Sequence, residues 1–425
     1  MRYCTRCVMP DTRPDLALDA EGVCNACRHF ERRAAIDWDQ RKKELERILD
    51  RHRSPGGRNW DCLIPVSGGK DSHFQTIRML ELGMNPLCVT ATTCDLSEVG
   101  RRNIENLKSL GVDYVEVTTN RRVRATLNRI GLREVGDISW PEHVSIFTIP
   151  VRLAVQFRVP LLIWGENSQN EYGGPAADAD NHVLDRRWLD TYGGLLGLRV
   201  ADLVGREGLT ARDLIPFTYP AEEDLRAVGV TGLFLGYFLP WDGFANALVA
   251  QGHGFTTLPH CVEGSLVTYE NLDNHQTGIH DYFKFLKFGF GRATDLACLH
   301  LRRGRLSRSD ALALVRRHDG KFPWTYLGKP LGKILEPLGV TIDEFVAICD
   351  RFTNRDLFVT DAKGRLVKDR DGNLTLKRPE PADPKPVASP GRRAEGRTGP
   401  KPATPPRHRG GCRPTPGLRH AKRPS

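Results

Sequence analysis

The chain has 425 residues, 40% hydrophobic and 8% aromatic; that length supports two or three domains with a sizeable core and excludes disorder throughout or a small disulfide-stapled module. Of the formal net charge of +10, +8 falls in residues 379–425, which also hold 12 of the 28 prolines and no Phe, Trp, Tyr or Ile, so the +2 of the remaining body argues against a nucleic-acid partner. The longest uncharged apolar stretch, Ala227–Trp241, has 15 residues and three glycines, short of the ~20 that a bilayer needs, so no membrane span is expected.

The chain opens Met-Arg-Tyr-Cys-Thr-Arg-Cys. No apolar signal region follows, so a cytoplasmic protein is expected. Cys4-x-x-Cys7, sixteen residues and Cys24-x-x-Cys27 have the spacing of a structural zinc ribbon. An iron–sulfur cluster or a redox CxxC is the alternative. Asp37–Arg53 reads as a helix with Trp38, Leu45, Ile48 and Leu49 on one face, broken by Ser54-Pro55-Gly56-Gly57. Strand and helix then alternate. Cys62–Val66 is a strand, Ser72–Leu82 a helix ended by Gly83, Pro86–Thr92 a strand, and Glu98–Leu110 a helix closed by Gly111. Tyr114–Thr118 and Pro160–Trp164 are further strands. Short apolar strands separated by helices imply a parallel sheet covered on both faces. The pattern turns irregular after Gly173, and Ser307-x-x-Asp310 and Thr341-x-x-Glu344 signal two later helix starts. Residues 379–425 read as a disordered basic tail.

Ser67-Gly68-Gly69-Lys70-Asp71-Ser72 follows the first strand and opens a helix. Two glycines allow close backbone approach and positive φ. The N–H groups and dipole of a helix N-terminus favour an anion. Ser67 and Ser72 add hydroxyls, Lys70 adds a positive charge, and Asp71 is positioned for a Mg²⁺ that bridges phosphates. The spacing is neither G-x-x-x-x-G-K-[ST] nor G-x-G-x-x-G. The plain alternative is a strand-to-helix turn with a serine cap.

Ser67–Ser72 resembles the S-G-G-x-D-S signature of PP-loop ATP pyrophosphatases. Trp140–His143, Trp164–Asn167, Glu171–Gly174, Leu235–Asp242, Glu263–Ser265, Tyr269–Asn271, His280–Gly289 and Gly291–Asp295 are similar to blocks of the N-acetyl sugar amidotransferases of bacterial surface-polysaccharide and nonulosonic-acid pathways. The resemblance covers about residues 1–360. It implies an α/β fold with a doubly wound parallel sheet of the PP-loop ATP pyrophosphatase (adenine nucleotide alpha hydrolase-like) type, an N-terminal zinc ribbon and a mostly helical C-terminal region. The expected units are a zinc ribbon over 1–30, a linker helix over 31–57, the PP-loop domain over 58–200, a substrate- and partner-binding helical region over 201–378, and the tail over 379–425.

The implied reaction uses ATP and Mg²⁺ to adenylate the acetamido oxygen of a nucleotide-linked N-acetyl sugar. Ammonia then displaces AMP to give an acetamidino sugar for lipopolysaccharide or nonulosonic-acid synthesis. The loop residues Ser67, Gly68, Gly69, Lys70, Asp71 and Ser72 would hold ATP. Lys70, Asp71, Glu166 and Asn167 are the expected catalytic set, with Asp71 on magnesium and Cys4, Cys7, Cys24 and Cys27 on zinc. Glu142, His143, Glu171, Tyr172, His280, Lys284, Lys287 and Arg292 are the expected substrate residues. A salt-bridged structural Glu166, a core His143 and a solvated amphipathic helix carrying His280, Lys284 and Lys287 remain the plain alternatives. No cysteine has the glycine-flanked setting of a glutaminase nucleophile: Gly410-Gly411-Cys412 has no strand before it, and Cys261, beside His260, lacks the elbow glycines. The resemblance therefore implies ammonia from a separate class I glutamine amidotransferase subunit. A tRNA-thiolating PP-loop enzyme is the alternative function, and a zinc-ribbon binding module with a degenerate nucleotide domain a third.

Overall fold

The computed structural model describes residues 1–174, 182–184 and 196–377; the tail at 379–425 and Gly410-Gly411-Cys412 lie outside them. Its centre is a six-stranded sheet in the order β3-β2-β1-β4-β6-β5. The strands are β1 (Cys62–Pro65), β2 (Pro86–Ala91), β3 (Asp113–Val117), β4 (Leu161–Trp164), β5 (Val183–Leu184) and β6 (Thr231–Phe234). All pair in parallel except β5, which runs antiparallel to β6.

The apolar runs of β1 and β4 feed two cores by alternation. Cys62, Ile64, Leu161 and Ile163 bury one face against Phe74 and Met79 of the Lys70–Glu81 helix. Leu63, Leu162 and Trp164 bury the other against Ile149, Val151 and Ala154 of the Trp140–Phe157 helix. The chain runs outward from β1 to β3, then crosses back through two helices to β4 on the other side of β1. This reversal between β1 and β4 is the switch point where open α/β sheets gather ligands, outside the carboxyl ends of the strands.

Asp37 caps the helix Trp38–His52 by accepting from Gln40 N at 2.9 Å. Ser307 and Thr341 cap the helices Arg308–His318 and Ile342–Phe352, accepting from Asp310 N and Glu344 N at 3.1 Å each. The last described stretch is not helical. Its bridges Thr360↔Leu366 and Lys368↔Leu374 close two tight turns. In each an aspartate binds the turn's own backbone: Asp361 Oδ1 accepts from Lys363 N and Arg365 N, and Asp369 Oδ1 from Asp371 N and Asn373 N, all at 2.9 Å. β6 lies beyond residue 200, so the sheet draws its sixth strand from the region expected to be helical.

Residues 1–30 pack against the helices Arg292–Arg302 and Arg308–His318. Val8, Met9, Val23 and Ala26 share a core with Phe290, Ala297, Ala311 and Leu312. Among the described residues, no helix is long and apolar enough to cross a membrane.

Candidate functional site

The loop Ser67–Ser72 leaves the carboxyl end of β1 and closes on itself. Ser72 Oγ accepts from Ser67 N at 3.0 Å, and Ser67 Oγ accepts from Gly69 N at 3.3 Å. Gly68 takes φ +84°, and a Cβ there would sit 2.8 Å from Ile104 Cγ1, so only glycine fits under the Glu98–Lys108 helix. His73 Nδ1 lies 2.9 Å from Gly69 O, and Asn106 Nδ2 lies 3.0 Å from His73 Nε2. An amide donor at Nε2 places the imidazole hydrogen on Nδ1, where it donates to the loop carbonyl. Burial, first, holds His73 below its ordinary pKa and keeps it neutral.

The loop lines a cavity of about 250 Å³ together with Asn103, Glu166, Tyr172, Glu270, Asp273 and Arg292. Glu166 and Tyr172 come from the segment after β4, across the switch point. Lys70, 7% exposed, reaches into the cavity with its Nζ 2.6 Å from Asp71 Oδ2 and 2.9 Å from Glu270 Oε1. Burial works against its charge, but Asp71 and Glu270 outweigh burial and hold the ammonium pKa well above its ordinary value. Burial likewise opposes the charge of Glu270, yet Lys70 and Arg292 keep that carboxyl below the usual range. Asn246 donates to Asp71 Oδ1 at 2.8 Å.

Glu166 differs from these ion-paired carboxylates. Burial first, and then the negative charge of Asp71, push its pKa up to about 7, with Lys70 offsetting only part of the shift. A carboxyl that titrates near neutrality beside a phosphate-type loop can pick up and release a proton during a reaction. The cavity thus offers an anion cradle, an ammonium, a guanidinium, an ionised carboxylate for a cation and one neutral-range proton acceptor.

The structure brings Ser67–Ser72, Glu166, Tyr172 and Arg292 of the expected residues into this one cavity and leaves the others outside it. Glu142 is buried with Arg124 and Asn128, at 3.2 and 2.9 Å. His143 and His280 flank buried Asp137, at 3.2 and 2.8 Å. Glu171 pairs with Arg33 and Arg303, at 2.7 and 3.1 Å. Asn167 lies with Glu166 and Glu171 in the wall of a separate small crevice. Lys284 pairs with Asp295 at 2.5 Å, and Lys287 donates to Val135 O at 2.7 Å. Sequence reasoning gave no role to Glu270, Asp273, Asn103 or Asn246.

Cys4, Cys7, Cys24 and Cys27 are buried, and their sulfurs lie within 4.8 Å of one another. Cys4 Sγ–Cys27 Sγ is 3.9 Å and Cys7 Sγ–Cys24 Sγ 3.7 Å. A Zn–S bond of ~2.3 Å gives a tetrahedron edge of ~3.8 Å, so the set fits zinc. Backbone N–H groups of Arg6, Cys7 and Cys24 point at Cys4 Sγ from 3.4, 3.5 and 3.2 Å, as a bound thiolate requires.

Residues 263–369 match the family described as LPS biosynthesis protein WbpG-like, C-terminal domain. The match supports a surface-polysaccharide biosynthesis family. It includes Glu270, Asp273 and Arg292 of the cavity wall. No curated protein matches the chain.

Proposed function

We propose that the chain is an ATP-dependent, AMP-forming amidotransferase of surface-glycan synthesis that converts the acetamido group of a nucleotide-linked N-acetyl sugar into an acetamidino group. The observation that carries this reading is the cavity at the switch point. It joins the Ser67–Ser72 cradle, Lys70, Asp71, Glu166 and Arg292 within one wall, part of which belongs to the segment that matches a lipopolysaccharide-synthesis domain.

ATP would supply the adenylyl group that turns a poor amide electrophile into a reactive one. The loop N–H groups, Ser67, Ser72 and Lys70 bind and orient the phosphates. Asp71 is the hard oxygen ligand for Mg²⁺. Glu166, basic near neutrality, takes the proton that the attacking nitrogen must lose. Arg292 holds negative charge on the substrate side. Zinc in the four-cysteine site is structural.

The test is incubation of the full chain with ATP, ammonium and UDP- or CMP-linked acetamido sugars, followed by mass spectrometry. The expected result is AMP and pyrophosphate with a sugar in which O is exchanged for NH. ADP as the main product, or exchange of O for S on an RNA, contradicts the reading.

A further inference from the structure

A second cavity, of about 260 Å³, opens on the far side of Arg292. It lies between the helix Thr277–Phe288 and the segment 317–326, and every residue lining it falls within the matched segment 263–369. Its walls are of two kinds. One is aromatic: Phe322 lies 4.6 Å from Trp324 and 5.4 Å from Tyr282 between ring centroids. Trp324 is 47% exposed, yet its ring is fixed by donation from Nε1 to Asp371 O at 2.7 Å. The turn that supplies Asp371 also holds Phe322 N through Asn373 Oδ1, at 2.8 Å. A large aromatic face held rigid and left open to solvent is a platform for a flat, partly apolar ligand.

The other wall is polar. Asp281 and His318 stand in this wall, with Asp281 Oδ1 buried 3.9 Å from Lys284 Nζ. A few polar side chains in a largely aromatic cavity fix the orientation of a ligand. Burial opposes the charge of Asp281, but Arg292 and Lys284 hold it ionised, so it is an acceptor for hydroxyl or amide N–H donors. Arg317 and Lys321 line the same cavity and add positive charge.

The two cavities meet at a shared wall. Arg292 lines both, Nε standing 3.5 Å from Asp281 Oδ2. Asn271, in the wall of the first, lies 3.3 Å from Asp281 Oδ2 and accepts at its carbonyl from Tyr326 OH of the second, at 3.1 Å.

The geometry points to this second cavity as the seat of the acceptor's glycosyl unit, stacked on Trp324 beside Asp281 and His318, with Arg292 standing between it and the adenylating loop that meets the acetamido group. This inference rests on the proposed sugar-nucleotide function and names where its second substrate binds. Arg317 and Lys321 then take the diphosphate or carboxylate of the same ligand.

The test is hydrogen–deuterium exchange on the full wild-type chain, with ATP alone, then with UDP-N-acetylglucosamine or CMP-N-acetylneuraminic acid alone. The sugar nucleotide should protect 317–326 and 278–292, and ATP should protect 67–72. Trp324→Ala, and independently Lys321→Ala at an exposed position, should each weaken sugar-nucleotide binding about tenfold or more while ATP binding stays within about twofold. Protection by either sugar nucleotide confined to 67–72, or none anywhere in the chain, overturns the inference. Failure of ATP to protect 67–72 sinks the nucleotide reading separately, whatever the sugar nucleotide does.

Discussion

Glu166 carries the sharpest chemical consequence at the scale of single residues. Its folded pKa of about 7 stands above an ordinary value of 4.5. Between these values the folded chain keeps a proton that the unfolded chain has lost, so stability falls as pH rises through this window. Glu166→Gln removes the titration. The variant should therefore gain stability over wild type across that interval, reaching about 1–2 kcal/mol above about pH 7. Thermal melts at a series of pH values read this directly. If Glu166 is the base, wild-type turnover should rise through about pH 7 while Glu166→Gln falls about 100-fold or more and loses that inflection. The loop glycines separate in the same way. Gly68, at φ +84° against Ile104, cannot accept a Cβ, so Gly68→Ala should lower the melting temperature. Gly69 has φ −72°, and its Cβ would meet only Ser67 Oγ at 3.3 Å. Gly69→Ala should therefore fold normally and, on the proposed function, lose ATP affinity by equilibrium binding, because the methyl would stand where a phosphate approaches. Gly69→Ala with unchanged ATP affinity would remove the cradle from the site. The cradle is legible in sequence because its chemistry occupies six consecutive residues. Glu270, Asn246 and Asp273 are not, since their role depends on a fold that returns distant loops to Lys70 and Asp71. The block Tyr269-Glu270-Asn271 carried a signal, but nothing in it says which cation it meets.

At the scale of elements, uniform apolar runs betray β1, β2 and β4, because both faces of a parallel strand are buried. β6 hides inside a longer apolar stretch interrupted by glycine. Gly232 is required there, since a Cβ would lie 2.8 Å from Trp164 Nε1. The helix Trp140–Phe157 hides because Pro150 stands in its interior, where pattern rules end a helix. The turns at Asp361–Arg365 and Asp369–Asn373 share an Asp-x-x-Gly pattern with Asp19–Val23, where Asp19 Oδ1 accepts from Glu21 N and Val23 N at 2.9 Å. That pattern is readable from an aspartate's affinity for the backbone two residues on. The ribbon is the element with a testable coupling. Arg308 Nη1 donates to Cys4 O at 3.0 Å and also to Cys7 O, while Arg13 Nη1 pairs with Asp295 Oδ1 at 2.9 Å. Asp295 lies in the helix Arg292–Arg302, whose first residue lines the cavity. Purified protein should contain one zinc per chain. Stripping it with a chelator should lower the melting temperature and weaken substrate binding together, and zinc should restore both. Elemental analysis that finds iron with visible absorbance, or a chelator-stripped chain with unchanged melting, contradicts this.

The whole molecule poses the question of where the nitrogen comes from. Among the described residues, no cysteine lines the cavity. Cys62 and Cys88 are fully buried in the sheet, and burial raises both thiols, that of Cys88 to about 12, which makes them poor nucleophiles. Cys94 is held up first by burial and then by Glu142. The sulfurs of Cys4, Cys7, Cys24 and Cys27 face one another in a buried set that could hold zinc. On the proposed function the chain takes ammonia from elsewhere, so turnover should appear with ammonium and not with glutamine, until a glutaminase subunit is added. The pH profiles then separate supply from chemistry. If Glu166 is the base, two deprotonations should limit the rate with ammonium as donor: that of Glu166 near 7 and that of ammonium in bulk water. The rate should keep climbing until ammonium itself is largely deprotonated. If a partner delivers ammonia already neutral along a shielded path, only the Glu166 step should remain with glutamine, and the rate should level off above about pH 7. Glu166→Gln should erase the lower inflection in both assays and leave the upper one in the ammonium assay alone. Measuring glutamate release by the chain without a partner decides the matter. Release at the rate of product formation would place a glutaminase within this chain.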